Sequence, residues 1–134
     1  MSRKIVILNG SPRNNGNTSE LVRFFTDREA DVVVHASPLY YWTVGAQLKT
    51  AIDRLFALEE GGENQLRGNG KAGILLMAAE GSAFEDSLLY FNHLMEHLRW
   101  QNLGHVLAGG NFAVGDIAGK PSLQEAHDLG ASIQ

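Results

Sequence analysis

Apolar residues along this chain fall into two alternating kinds of segment. Short unbroken runs, rich in branched aliphatic residues, occur at Lys4–Leu8 (KIVIL), Asp31–Ala36 (DVVVHA) and Ala72–Ala79 (AGILLMAA). Runs of that length bounded by turn residues predict strands buried on both faces. Ser37-Pro38 marks the stop of the second. Between these runs apolar positions recur at helical spacing. Leu21, Val22, Phe24 and Phe25 form a stripe from about Asn17; Val44, Leu48, Ala51, Ile52, Leu55 and Phe56 form a clearer one; Phe84, Leu88, Phe91, Met95 and Leu98 form the longest. Gly104 reads as the glycine that caps this last helix, His105–Val114 as a fourth, glycine-broken strand, and Pro121 as the opening of a final short helix. Repeated strand–helix units predict a doubly wound α/β fold, a parallel sheet with helices on both faces. No repeat, low-complexity tract or linker interrupts the pattern, so residues 1–134 are expected to form a single domain.

Composition narrows the function. With 44% hydrophobic and 19% charged residues the chain can build one core. Its net charge of −4 and lack of a basic run argue against nucleic acid as a partner. The absence of cysteine excludes disulfides, thiolate metal sites and a cysteine nucleophile. The leading apolar run, Ile5–Leu8, is too short for a signal-peptide core or a membrane span. The expectation is a cytoplasmic protein without membrane insertion.

Doubly wound sheets take their ligands beyond the carboxyl ends of the strands. The segments expected there are 9–19, 37–45, 79–84 and the neighbourhood of Gly115. The first runs from a strand through Gly10, Ser11, Arg13, Gly16, Asn17, Thr18 and Ser19 into a helix. Free N–H groups and the positive dipole end of a helix attract an anion, and small residues let it approach. The hydroxyls of Ser11, Thr18 and Ser19 with the Arg13 guanidinium could complete a phosphate cradle. A capping box of Asn17 and Glu20 accounts for the same residues without a ligand, and both readings can hold together. Neither the Walker loop nor the GxGxxG fingerprint is present. The aromatic run Tyr40-Tyr41-Trp42 suits either rim packing or the walls of a flat heteroaromatic ligand. Lys49 and Asp53 read as a solvated ion pair with Arg54 beside them. His93-Leu94-Met95-Glu96-His97 fits the H-x-x-E-H metalloprotease pattern, but its histidines fall opposite the apolar stripe. A third ligand would have to come from Asp116, Glu125 or His127, so the match is read as chance and no metal is expected. His35 reads as a satisfied core or edge histidine.

Asn9-Gly10-Ser11-Pro12-Arg13 followed by Gly16-Asn17-Thr18 resembles the phosphate loop of the NADPH-dependent FMN reductase family, nearest its iron–sulfur flavoprotein branch. A second block, Ala36-Ser37-Pro38-Leu39-Tyr40-Tyr41 through Lys49 to Asp53-Arg54-Leu55, is similar to the same family and follows in the expected order. The resemblance implies a flavodoxin-like sheet of order 2-1-3-4-5. It implies FMN with its phosphate at Ser11, Arg13, Asn17 and Thr18, and its ring along Pro38, Leu39, Tyr40, Tyr41 and Trp42. Ala79, Glu80 and Gly81 would lie on the ring's other flank. NADPH or NADH would be the reductant, a quinone, free flavin or other small molecule the acceptor, and a homodimer the assembly. The alternatives are a flavodoxin-like electron carrier that does not oxidise NAD(P)H, and a flavin-free interaction module. Two departures stand out. The cysteines of the iron–sulfur branch are missing, so its cluster cannot form. Between the first helix and the DVVV strand only Thr26–Ala30 remains, where the family has its second strand and another helix. Joining the first helix straight to the third strand would make a rare left-handed crossover. The expectation is therefore an omitted unit of roughly 30 residues between Phe25 and Ala30, or else a first helix moved to the other face or swapped with a partner.

Overall fold

The computed structural model describes residues 3–10, 30–60, 63–64 and 66–133. Their elements are β1 (Ile5–Asn9), β2 (Val32–Tyr40), β3 (Thr43–Val44), α1 (Ala46–Arg54), α2 (Phe56–Glu60), β4 (Ala72–Ala78), α3 (Glu85–Leu98), β5 (Gln101–Ala108) and α4 (Pro121–Ala131). Four strands form a parallel sheet in the order β1-β2-β4-β5, and β3 folds back antiparallel on the end of β2. That order is compatible with the first, third, fourth and fifth strands of the expected 2-1-3-4-5 arrangement. Among the described residues none lies beyond β1. The helix expected from Asn17 and the interval Phe25–Glu29, on which the omitted-unit expectation rests, fall outside the described residues.

Alternation along the strands sends successive side chains to opposite faces. On one face Val6, Leu8, Val33, Leu75 and Met77 pack beneath Leu48, Ala51 and Ile52 of α1 and Phe91, Met95 and Leu98 of α3. α3 comes close to the sheet at Gly73, where an added Cβ would lie 2.3 Å from the Met95 sulfur and that side chain would have to shift. On the other face Val32, Val34, Ala72 and Ile74 are covered by Leu129 of α4 and by Ile133. Helices on both faces of a parallel sheet confirm the α/β class.

Local readings are corrected in three places. The second strand does not stop at Ser37-Pro38. Pro38 takes a register position opposite Ala78 at the carboxyl end of the sheet, and the chain runs on to Tyr40 before reversing. The helical stripe from Val44 is not one helix: Val44 belongs to β3, and the helix breaks at Leu55 into α1 and α2. Gly104 does not cap α3. Arg99 does so in the left-handed conformation, with φ of 54°. Gly104, at φ of 117°, lies inside β5 where its register with β4 slips, the conformation a bulge asks of glycine. The fifth strand thus spans 101–108 rather than 105–114.

Candidate functional site

The carboxyl ends of the four parallel strands bring together Gly10 at the end of β1, the β2–β3 hairpin and the loops after β4 and β5. Gly10 leaves β1 under tight constraint. Its N–H donates to the Ala36 carbonyl at 2.7 Å, and an added Cβ would stand 2.7 Å from Leu48 Cβ. The chain can enter the Ser11–Ser19 segment here only as glycine.

Leu39 pairs with Val44 and Tyr40 with Thr43, leaving Tyr41 and Trp42 as a two-residue turn. Both are left-handed, with φ of 47° and 66°. Positive φ at both central positions is the signature of a type I′ turn, normally filled by Asn-Gly. For residues with a Cβ it costs roughly 1–2 kcal/mol each. Tertiary hydrogen bonds hold the strained hairpin. The Ser37 hydroxyl accepts from the Gly45 N–H at 2.7 Å and donates to the Pro38 carbonyl at 2.8 Å. The Ser87 hydroxyl, from the first turn of α3, donates to the Trp42 carbonyl at 2.9 Å. At the tip Tyr41 is 91% exposed and Trp42 60%.

The neighbouring loops are locked to each other by backbone. Ala79 N–H donates to the Ala108 carbonyl, Gly110 N–H to Glu80 and Asn111 N–H to Ala79, at 2.9–3.0 Å. A Cβ on Gly109 would meet the Gly81 carbonyl at 2.7 Å, so glycine is needed for this approach. The Lys120 ammonium donates to the Gly110 carbonyl and to Asn111 Oδ1, while the Asp116 carboxylate accepts from the Phe112 and Ala113 N–H groups. Glu80 and Gly81 are exposed on the rim and Ala79 is half-buried.

Just beneath this rim, on the face covered by α4, lies a cavity of about 380 Å³. Asn9, Ala36, Pro38, Ala78 and Ala108 form its floor side, with Ile117 and Leu123 against them. Of the residues expected to touch a ring, only Pro38 lines it. The cavity is apolar volume beside the rim, whereas the rim itself carries the aromatic hairpin and the backbone of residues 79–81.

The structure therefore gathers Pro38, Leu39, Tyr40, Tyr41 and Trp42 with Ala79, Glu80 and Gly81 at one sheet edge. Ser11, Arg13, Asn17, Thr18 and Ser19 lie outside the described residues. Ser87, Asn111 and Lys120, which shape the edge, escaped the sequence reading, and Ser37 entered it only as part of the second family block. No periodicity marks Ser87, Asn111 or Lys120, because what they hold is backbone and loop groups: Ser87 the Trp42 carbonyl, Asn111 the Ala108 and Gly109 carbonyls, and Lys120 the Gly110 carbonyl and Asn111 Oδ1.

Remaining candidates lie away from this edge. His35 is fully buried on the α3 side of β2, with Nδ1 3.3 Å from the Ile74 carbonyl and its ring edge-on to Phe91 at 5.6 Å. Among the described residues its Nε2 has no hydrogen-bond partner, so there it is only half satisfied, contrary to the sequence expectation. Burial pushes its pKa down to about 4, against weaker opposing hydrogen bonds from the Ile74 and Val33 backbone. Lys49 and Asp53 form the expected exposed pair. His97 Nε2 pairs with the Glu59 carboxylate at 3.0 and 3.1 Å, and His93 is exposed. Among the described residues no three His, Cys, Asp or Glu side chains are grouped to hold a metal, and no helix is long and apolar enough to cross a membrane.

The profile of the NADPH-dependent FMN reductase family matches residues 26–118. An iron–sulfur flavoprotein from Archaeoglobus fulgidus is 32% identical over 105 residues, which are 78% of this chain and 46% of that protein. The chain thus spans about half the length of this curated relative. The fold is similar to that of the Trp repressor binding protein from Bacillus subtilis, with a TM-score of 0.69 and 21% identity over 96% of this chain and 94% of the other. It is also similar to an FMN-dependent NADH-azoreductase from Bacillus anthracis, with a TM-score of 0.58 and 17% identity over 87% and 62% of the two chains. These likenesses establish the flavodoxin-like fold. Two sequence blocks in order, a sheet edge that assembles the second of them, and a family profile running through most of the chain agree: this chain belongs to the NADPH-dependent FMN reductase family.

Proposed function

We propose that this chain binds FMN across the carboxyl edge of its sheet and acts as an NAD(P)H-dependent oxidoreductase towards a small acceptor, such as a quinone or a free flavin. The observation that carries the reading is the aromatic hairpin. Two residues with Cβ atoms are held left-handed at the edge where doubly wound sheets take ligands. Backbone strain of this kind persists where surrounding structure enforces it, and ligand clamps are among the places it collects.

An isoalloxazine ring suits this edge. Its flat apolar faces match Pro38, Tyr40 and Trp42, and its polar rim matches the backbone of Tyr41–Thr43 and of Ala79–Gly81. At Gly81 an added Cβ would meet nothing within 4 Å, so space is open there. The phosphate falls to Ser11, Arg13, Asn17, Thr18 and Ser19, directly after the constrained Gly10. FMN, when bound, supplies the redox chemistry between the nicotinamide and the acceptor. The protein's own work is to bind, to orient and to keep water from the ring. No side-chain acid or base is required, consistent with a His35 that faces the core.

The test is to release the flavin with acid and identify it, then add NADPH or NADH to the holoprotein without oxygen. FMN should be recovered, and the visible flavin band should bleach with one of the two nicotinamides. Arg13→Ala should weaken FMN retention about tenfold or more, the scale of a charge-assisted hydrogen bond. Recovery of FAD, or no flavin affinity after reconstitution, would overturn the reading. Bound FMN that neither nicotinamide reduces would favour the electron-carrier alternative.

A further inference from the structure

The β2–β3 hairpin is anchored at two levels. Ser37 secures its base, joining the end of β2 to Gly45 at the start of α1. Its tip is a different problem. Tyr41 and Trp42 adopt a conformation that side chains with a Cβ disfavour, and both project largely into solvent, so packing does little to hold them. The two rings tilt against each other at 6.3 Å between centroids, an aromatic contact confined to the turn itself. Among the described residues, a hydrogen bond from another element reaches the strained pair: that of the Ser87 hydroxyl to the Trp42 carbonyl.

Ser87 is placed for this by burial. It sits in the first turn of α3 with 0% exposure, on the side of the helix that carries Phe91. A hydroxyl fixed there donates from a rigid helix to the last peptide of the turn. Holding the Trp42 carbonyl sets the plane of the Trp42–Thr43 peptide and, through the Trp42 backbone angles, the directions presented by Tyr41 and Trp42. Alanine at this position would leave the helix intact, since Ser87 caps nothing: the residue at the N-cap is Phe84.

We propose that Ser87 is a positioning residue for the flavin, holding the Tyr41–Trp42 turn in its left-handed form so that the ring meets a prearranged wall. This rests on the FMN reading above. A prearranged site spares the ligand the cost of ordering it, so losing the anchor should appear as lost affinity and an altered ring environment.

The experiment compares wild type with Ser87→Ala in two states. In the flavin-free protein, hydrogen exchange should quicken at the amides of 43–45 while those of β4 and the second half of α3 stay as protected as before. With FMN, the dissociation constant should rise about three- to tenfold, the worth of one hydrogen bond, and the visible absorption maxima should shift. In a Trp42→Gly background, where the left-handed conformation carries no penalty, the Ser87→Ala effect should shrink to about twofold or less. Unchanged affinity and spectrum in Ser87→Ala would overturn the proposal, as would a full-sized effect persisting with Trp42→Gly. So would a Ser87→Ala protein that no longer melts as a folded domain, since the hydroxyl would then be structural. Wild type that takes up no FMN would instead bring down the functional reading and this inference with it.

Discussion

Among the described residues the two faces of the sheet are covered to different degrees. On the α1 and α3 side a continuous buried cluster runs from Val6 and Leu8 through Leu75 and Met77 to Phe91, Met95 and Leu98. On the α4 side the buried cluster among the described residues is Val32, Val34, Ala72 and Ile74, and α4 itself has no fully buried residue. Register places Ile5 and Ile7 on that second face beside Val32 and Val34, yet they are 47% and 59% exposed. The apolar cavity lies on the same side. Among the described residues burial, and the hydrophobic stabilisation that goes with it, is greater on the first face. The strained hairpin draws its anchor from there too, through Ser87 of α3.

This contrast can be broken most directly by substitution. Phe91→Ala, which opens a cavity in the closed face, should cost about 3–5 kcal/mol in urea unfolding. Ile7→Lys, on the open face, should change stability by no more than roughly 0.5 kcal/mol. Comparable losses for the two would mean that the second face is closed after all.

The next largest effect belongs to His35, deep in the closed face. Its folded pKa of about 4 lies below the ordinary 6.5, so the native state keeps it neutral while the unfolded chain takes up a proton. Stability from this group is intact above pH 6.5 and is lost as pH falls towards 4, by roughly 3 kcal/mol in all. His35→Leu should therefore lose less stability than wild type across that window, compared by urea titrations at several pH values. Parallel pH profiles for the two proteins would contradict the assignment.

Smaller effects are expected on the outer surface of the helical layer. Lys49→Ala removes an exposed pair four residues apart and should cost about 0.3–0.5 kcal/mol, fading with added salt. Chelator treatment should leave turnover and melting temperature unchanged, because His97 is engaged by Glu59 and no metal-holding group surrounds it among the described residues. Activity lost on chelation and restored by zinc would reinstate the H-x-x-E-H motif.

Much of this architecture was legible because strand and helix patterns are local. The three apolar runs became β1, β2 and β4, and the Phe84–Leu98 stripe became α3 with Phe91, Met95 and Leu98 buried. Errors arose where a local signal was ambiguous. Gly104 serves equally as a helix cap or a strand bulge, and only its pairing with β4 decides between them. Pro38 ordinarily ends a strand, but at the carboxyl end of β2 its missing N–H is tolerated.

By itself the sequence determined the alternation of elements, the α/β class, the exclusion of cysteine chemistry, and the two blocks that point to the family. Each of these is written in residue identity and short-range spacing. Tertiary structure alone decided how the edge is held. A Tyr-Trp pair contradicts the usual composition of a type I′ turn, and its anchor Ser87 stands 45 residues further along the chain. His35 looks like any core histidine until the elements around it leave Nε2 without a partner. The physical reason is the same in both cases: periodicity reports which face a residue occupies, whereas a hydrogen bond between distant segments exists only once their backbones have been brought together.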